Sequence, residues 1–262
     1  MLVNHDQVQQ TAKLISGFEA EKPYNFIDST LPSLIHPLTV EYFFVTVLQQ
    51  FSFWSSREKH YHLPLISEIG GNELKGAFYL FMAYKQKLDE DPNFFLAERQ
   101  AELTLNELRQ LFLSDNKEDV MPVLELHLDA AKRYGKTMLE LGWTPQSILK
   151  SASKSKRLLA TFLAKLDHVG GYREDPLRKK SALLAMILNN QPEKYFEFGK
   201  MESLPPIVDY HCMRSNLRMG MLDVRDEIFR EKLERSELVS ASEEREIRFA
   251  AYQAVEKLPD LS

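Results

Sequence analysis

A chain of 262 residues with 44% hydrophobic content buries one large core, or two small lobes sharing a cleft. No apolar run reaches the roughly 18 residues a bilayer crossing needs. The polar Met1 to Gln10 stretch does not read as a secretory signal, and the single Cys212 excludes an internal disulfide and a cysteine-ligated iron–sulfur cluster, so a cytoplasmic setting is expected. The net charge of −5 counts against a nucleic-acid duplex as partner, because duplex binding needs many Lys and Arg on phosphates, but a small anionic ligand needs only a few local cations.

In chain order, the apolar spacing of Val8, Ala12, Ile15 and Phe18 predicts a first helix over 6–19. Pro23, Pro32 and Pro37 then mark an irregular stretch. The near-continuous apolar run from Val40 to Leu48 predicts a buried helix over 39–50. One short hairpin is expected within 57–73, with His60 to Leu63 and Leu65-Ile66 on either side of Pro64 and a turn at Gly70-Gly71. From there the pattern is helical over 75–89, 105–113, 120–141, 145–150, 155–168, 178–189, 209–221, 225–236 and 243–257. Asp91-Pro92, Gly142, Pro145, Gly170-Gly171, Pro192 and Pro205-Pro206 punctuate these spans. Ser240 with Glu243 reads as a capping box for the last of them.

The most informative segment runs from Leu204 to Arg214. Two prolines block helix before Asp209, which then starts one with Met213, Leu217 and Met221 on its apolar face. A plain N-cap accounts for an aspartate there. Capping is also compatible with catalysis, since a carboxylate on a helix N-terminus is fixed in direction and suits a developing oxocarbenium ion. Arg178, Lys179 and Lys180 open a helix where cations oppose the dipole, so they read either as a solvated basic turn or as the seat of a phosphate. His211, Arg214, Arg218 and Arg225 fall at spacings that place them on one helix face, facing a ribose phosphate or surface carboxylates. Phe51, Phe53 and Trp54 are core residues or a stacking surface for a base. His60-x-His62 has no convincing companion ligands, His36 reads as a loop histidine, and Cys212 lacks the base partner of a nucleophile, so no metal and no cofactor are expected.

The Ile207-Val208-Asp209-Tyr210-His211 segment resembles the aspartate segment of helix-hairpin-helix DNA glycosylases. More specifically, it resembles the Phe-Ala-Asp-Tyr-Arg segment of the queuosine salvage proteins, which share that fold and hydrolyse queuosine 5′-phosphate to queuine. Four further stretches are similar and fall in the same order. They are Phe44-Val45-Thr46 with Phe51-Ser52-Phe53-Trp54; Leu105 to Arg109 through Ser114-Asp115 to Met121-Pro122; Arg178-Lys179-Lys180; and Glu244-Arg245-Glu246-Ile247-Arg248. The likeness spans roughly 38 to 250. It departs at Ile207, where the family has Phe, and at Gln50, where it has Asn. The family's C-terminal Asp-Tyr and following Asp, which contact the base, find no counterpart before Ser262.

The resemblance implies an all-α, helix-hairpin-helix DNA-glycosylase-like fold with at most one small β-hairpin, forming a single domain over 1–262 with two lobes around a cleft. It implies an N-glycosyl hydrolase acting on a small-molecule nucleotide, a queuosine-type 7-deazaguanine nucleoside 5′-phosphate. Asp209 is the expected catalytic residue, and Ile207, Tyr210, Trp54, Lys179 and Arg214 are the expected substrate contacts. A DNA base-excision glycosylase is the first alternative. It needs an apolar–Gly–apolar–Gly turn that Val169-Gly170-Gly171-Tyr172 does not supply. A non-catalytic nucleotide-binding or scaffold protein is the second.

Overall fold

The computed structural model describes residues 1–19, 21–33, 35–199 and 202–261. Among the described residues, helix accounts for just over half and strand is confined to short pairs. The chain divides into two compact units, the larger formed by Tyr24–Ser55 and Leu63–Leu204, the smaller by Met1–Pro23, Ser56–His62 and Pro205–Ser262. Each has its own hydrophobic core.

In the larger unit, every residue of the helix Thr39–Leu48 is buried. This follows from a segment with no polar face, which can only sit at the centre of a core. The helices Ala77–Glu90, Leu124–Leu141, Pro145–Ala152 and Lys179–Asn190 pack around it. Three of the buried tyrosines give their hydroxyls to main-chain carbonyls, as burial of a polar group favours. Tyr42 donates to the Phe81 carbonyl at 2.8 Å, Tyr172 to that of Phe44 at 2.6 Å and Tyr79 to that of Phe112 at 3.0 Å.

The short helix Ala97–Glu102, which apolar spacing does not announce, packs across Leu124–Leu141 at Gly135. A methyl group on Gly135 would lie 2.3 Å from the Ala101 nitrogen and 2.5 Å from the Ala97 carbonyl oxygen. Both are backbone atoms that cannot step aside. Gly135→Ala is therefore expected to destabilise the fold by about 1–3 kcal/mol through overpacking. Chemical denaturation would show this as a lower midpoint at unchanged slope.

Where one hairpin was expected within 57–73, the structure has two. Trp54–Arg57 pairs with His60–Pro64, and Ile66–Ile69 pairs antiparallel with Asn72–Lys75. The Gly70-Gly71 turn belongs to the second, both residues having positive φ, and the Asp115 carboxylate accepts their two N–H groups at 3.1 and 2.8 Å. The first turn is made by Glu58 and Lys59, also at positive φ, where no glycine marks it in the sequence. Strand also occurs outside that region, as Leu2–Val3 paired antiparallel with Leu222–Asp223. Two residues are too few for any alternation to register.

The smaller unit assembles the helices His5–Ser16, Tyr210–Arg218, Glu227–Glu234 and Ala241–Glu256 around Val8, Val208, Met221, Phe229, Ile247 and Ala251. Its helices start on side-chain caps from Asn4, Asp209, Asp226 and Ser240. The expected box is present: Ser240 Oγ accepts the Glu243 N–H at 3.3 Å, and the Glu243 carboxylate accepts the Ser240 N–H at 2.6 Å. Hydrogen bonds from Lys232 and from Ser240 hold the Glu243 carboxyl down at about 2. No helix among the described residues is long and apolar enough to cross a membrane.

Candidate active site

Pro205 and Pro206 have no N–H to give a helix, so the chain stays extended as far as Val208, whose side chain is buried in the core of the smaller unit. Asp209 follows at the N-cap of Tyr210–Arg218, with φ −107° and ψ −174°. Its Oδ1 accepts the Cys212 N–H at 2.9 Å. Asp209 is half-buried, as are Ile207 and Tyr210 on either side. Val208 and Met213 anchor the segment from below, so the carboxylate sits on a rigid element.

Arg214, one turn beyond Tyr210, is exposed and donates to His211 Nδ1 at 3.1 Å. The ring of His211 in turn lies 3.9 Å from that of Tyr210. The expected four-residue basic face is shorter than proposed. The helix stops at Arg218, and Arg225 lies beyond the strand Leu222–Asp223, paired with Asp223 at 3.5 Å. Gly220, at positive φ, ends the helical path that periodicity alone would have extended to Met221. Burial, followed by the charge of Asp209, raises the Cys212 thiol above its ordinary value, which is the opposite of what a nucleophile requires.

Trp54 and Lys179 belong to the larger unit. Trp54 is half-buried at the start of its strand. Lys179 opens the helix Lys179–Asn190, and the conflict between its charge and the helix dipole is answered within the chain. Asp175 Oδ2 accepts the Lys179 N–H at 2.9 Å, and Asp167 takes the Arg178 guanidinium, its Oδ1 at 3.0 Å from Nε. The Lys179 ammonium instead reaches the Gln50 carbonyl at 2.8 Å, and the Lys180 ammonium sits 4.3 Å over the Phe51 ring. The other face of Phe51 stacks on His127, with ring centres 4.3 Å apart and planes 16° from parallel.

The structure therefore brings Ile207, Asp209, Tyr210 and Arg214 together at one helix start, and joins Lys179 to Gln50 at another. In the second cluster Lys179 is an expected substrate contact, whereas Gln50 stands out in the sequence only as a departure from Asn. The adjacent lysines opposing a helix dipole were the signal for that cluster. His60 Nδ1 pairs with the Glu58 carbonyl at 2.8 Å, and among the described residues no group of three or more His, Cys, Asp or Glu is placed to hold a metal.

A family model described as queuosine salvage protein matches residues 32–261. Similar curated proteins include the queuosine 5′-phosphate N-glycosylase/hydrolase of Mus musculus, 23% identical over 278 aligned positions that cover 99% of this chain and 80% of the relative. The protein of the same name from Bos taurus is 26% identical over 235 positions, covering 84% of this chain and 67% of the relative.

Proposed function

Because the chain belongs to the queuosine salvage protein family, we propose that it hydrolyses the C1′–N bond of a queuosine-type nucleoside 5′-phosphate and releases the free base. The observation that carries the assignment of the chemistry is Asp209, half-buried and fixed on a helix N-terminus by its hydrogen bond to the Cys212 N–H. With Oδ1 engaged in the cap, Oδ2 is the oxygen we assign to the ribose. As the C1′–N bond breaks, its electron pair leaves with the base and C1′ becomes cationic. A fixed carboxylate stabilises that charge more than it stabilises the neutral substrate, so it lowers the barrier. The same carboxylate orients the water that adds to C1′, and the departing base takes up a proton. In the smaller unit we assign Ile207 and Tyr210 to packing against the substrate beside Asp209 and Arg214 to its phosphate; in the larger unit, taken by itself, we assign Trp54 to stacking and Lys179 to a phosphate. The substrate is then a free small nucleotide of the cytoplasm.

The alternative of base excision from DNA requires glycine N–H groups open to a backbone phosphate. At Gly170-Gly171 the Gly171 N–H is taken by Glu174 at 2.5 Å. A methyl group on Gly171 would meet Leu48 at 2.4 Å, so this turn serves close packing.

Chromatography of products from queuosine 5′-phosphate, queuosine and damaged duplex DNA tests the reading. Release of queuine from the monophosphate is expected, with a rate that changes little from low to moderate salt. Duplex binding, by contrast, weakens steeply as counterion release loses its advantage. Lys179→Met is expected to raise KM for the monophosphate roughly tenfold, the scale of one charge-assisted hydrogen bond, and to leave the nucleoside unaffected. Base release from DNA alone would reject the proposal.

A further inference from the structure

We propose that the helical hairpin 145–166 of the larger unit docks a nucleic-acid strand through its phosphodiester backbone. This goes beyond the hydrolase reading and does not depend on it. The chain has a net charge of −5, yet no Asp or Glu occurs between Glu140 and Asp167, where Lys150, Lys154, Lys156, Arg157 and Lys165 all fall. The helices Pro145–Ala152 and Leu158–Leu166 pack on each other, and Ile148, Ala152, Leu159, Phe162 and Leu166 fix them to the core. The loop between them therefore stands on a rigid base.

Ser155 holds the loop from within, its Oγ accepting the Arg157 N–H at 3.1 Å and the Thr161 hydroxyl at 2.8 Å. The Ser153 N–H reaches the Leu149 carbonyl at 2.9 Å. On this frame Lys150, Lys154, Lys156 and Arg157 are all exposed, and among the described residues no carboxylate pairs with them. Elsewhere in the same unit Lys85, Lys87, Arg99, Arg109, Arg133 and Arg178 each hold one. Two carboxylates do approach the hairpin, and both serve its frame. Glu202 accepts the Ala160 N–H at 3.2 Å, and Glu41 accepts from the Gln146 amide. Arg157 stands at the N-cap of its helix, where a cation opposes the dipole. A partner that brings negative charge to the loop offsets that conflict and the mutual repulsion of the four cations.

A phosphodiester backbone is the anion that fits. Lys, Arg and serine hydroxyls are the side chains that hold phosphate oxygens, and Ser151 and Ser153 stand between the cations. A membrane surface calls for an apolar anchor beside the charges, but no large hydrophobic side chain of 145–166 is exposed. Trp143, at the foot of the hairpin, is half-buried with the Lys165 ammonium 4.2 Å over its ring, and Phe162 is buried. The hairpin thus offers no open aromatic platform for bases, so it holds the backbone without reading sequence. The acidity of the whole chain opposes a duplex, with one charge per about 1.7 Å, more than it opposes a single strand.

Fluorescence anisotropy of the intact protein with labelled mixed-sequence single strands of RNA and of DNA tests the proposal. Binding is expected at low salt, with log K falling against log salt at a slope of about −3, as four neutralised phosphates on a single strand give. A variant carrying Lys150→Gln, Lys154→Gln, Lys156→Gln and Arg157→Gln is expected to bind at least about tenfold more weakly and to lose most of that slope. Its four changes are on exposed side chains, so its unfolding midpoint should stay near that of the wild type. A control with Lys13→Gln, Lys22→Gln, Arg57→Gln and Lys59→Gln removes the same charge from exposed positions of the smaller unit and should bind nearly as the wild type does. In the wild-type protein, a bound strand should protect Lys150, Lys154 and Lys156 from acetylation, a readout independent of any variant. A preference for RNA or for DNA that the hairpin variant loses would support the site and identify its source. Equal weakening in the control would overturn the proposal, because net charge alone would then set the affinity. So would lysines left unprotected at saturation, or a wild-type protein that binds neither strand at low salt and only vesicles of phosphatidylserine and phosphatidylcholine.

Discussion

Asp209→Asn should lower kcat for base release from queuosine 5′-phosphate by at least about 100-fold, roughly 3 kcal/mol of barrier, while leaving KM nearly unchanged. The substitution keeps the shape of the side chain and an oxygen for the Cys212 N–H. Asparagine caps helices about as well as aspartate, so the unfolding midpoint should shift little. What is lost is the negative charge, which matters only once the ribose becomes cationic. Interactions made only in the transition state lower kcat and kcat/KM together. Asp209→Ala removes the cap as well and should add about 1 kcal/mol of destabilisation to the same loss of rate. If Asp209→Asn retains full activity, the carboxylate is only a cap, and the Pro-Pro-Ile-Val-Asp segment has a purely structural purpose.

That Asp209 starts a helix was readable because both causes are local. Two prolines remove the preceding N–H donors, and an aspartate satisfies the N–H groups that follow. The long helices were legible for a similar reason, since their apolar spacing or, in Thr39–Leu48, the absence of any polar face dictates burial. What escaped was decided at a distance. Ala97–Glu102 has no side-chain cap and only six residues, and it exists because Gly135 lets it lie against another helix. The Glu58-Lys59 turn is held by its surroundings, with the Lys59 carbonyl accepting from Leu238 at 2.8 Å. Arg225 was misplaced because nothing in the spacing of charges reveals where Gly220 breaks the helix.

The basic helix start shows the same division. The sequence exposed a conflict between two lysines and a helix dipole, and an anion was one resolution. Asp175 resolves it from within the chain. This frees the Lys179 ammonium for a main-chain carbonyl 129 residues away, a contact that no local pattern encodes.

Acid should loosen this same region before it titrates the strongly held carboxylates. His127 is fully buried, and its Nδ1 pairs with Gln49 Oε1 at 2.9 Å while the Gln49 amide donates to the His127 carbonyl at 3.2 Å. That orientation places the ring proton on Nδ1 and leaves Nε2 buried, with no hydrogen-bond partner among the described residues. Burial, aided by the charge of Lys180 beyond Phe51, lowers the imidazole from 6.5 to about 3. The unfolded chain therefore binds this proton first as pH falls. Stability from a neutral His127 is complete above 6.5 and is lost progressively down to about 3. At about 1.4 kcal/mol per pH unit, acidification from pH 6.5 to about pH 4.5 should remove about 2–3 kcal/mol, on the order of 100-fold in the folding constant. Glu107 and Glu243, both held at about 2, act in the same direction but only below their ordinary value of 4.5. Urea unfolding between pH 7 and about pH 4.5 thus isolates the histidine. His127→Asn keeps a donor near the Nδ1 position and should be less stable at pH 7, yet nearly flat over that interval. An equal slope in wild type and His127→Asn would assign the acid sensitivity to other groups. A flattened one would place the first acid-labile contact at the Lys180–Phe51–His127 stack, one residue from Gln50 and from Lys179.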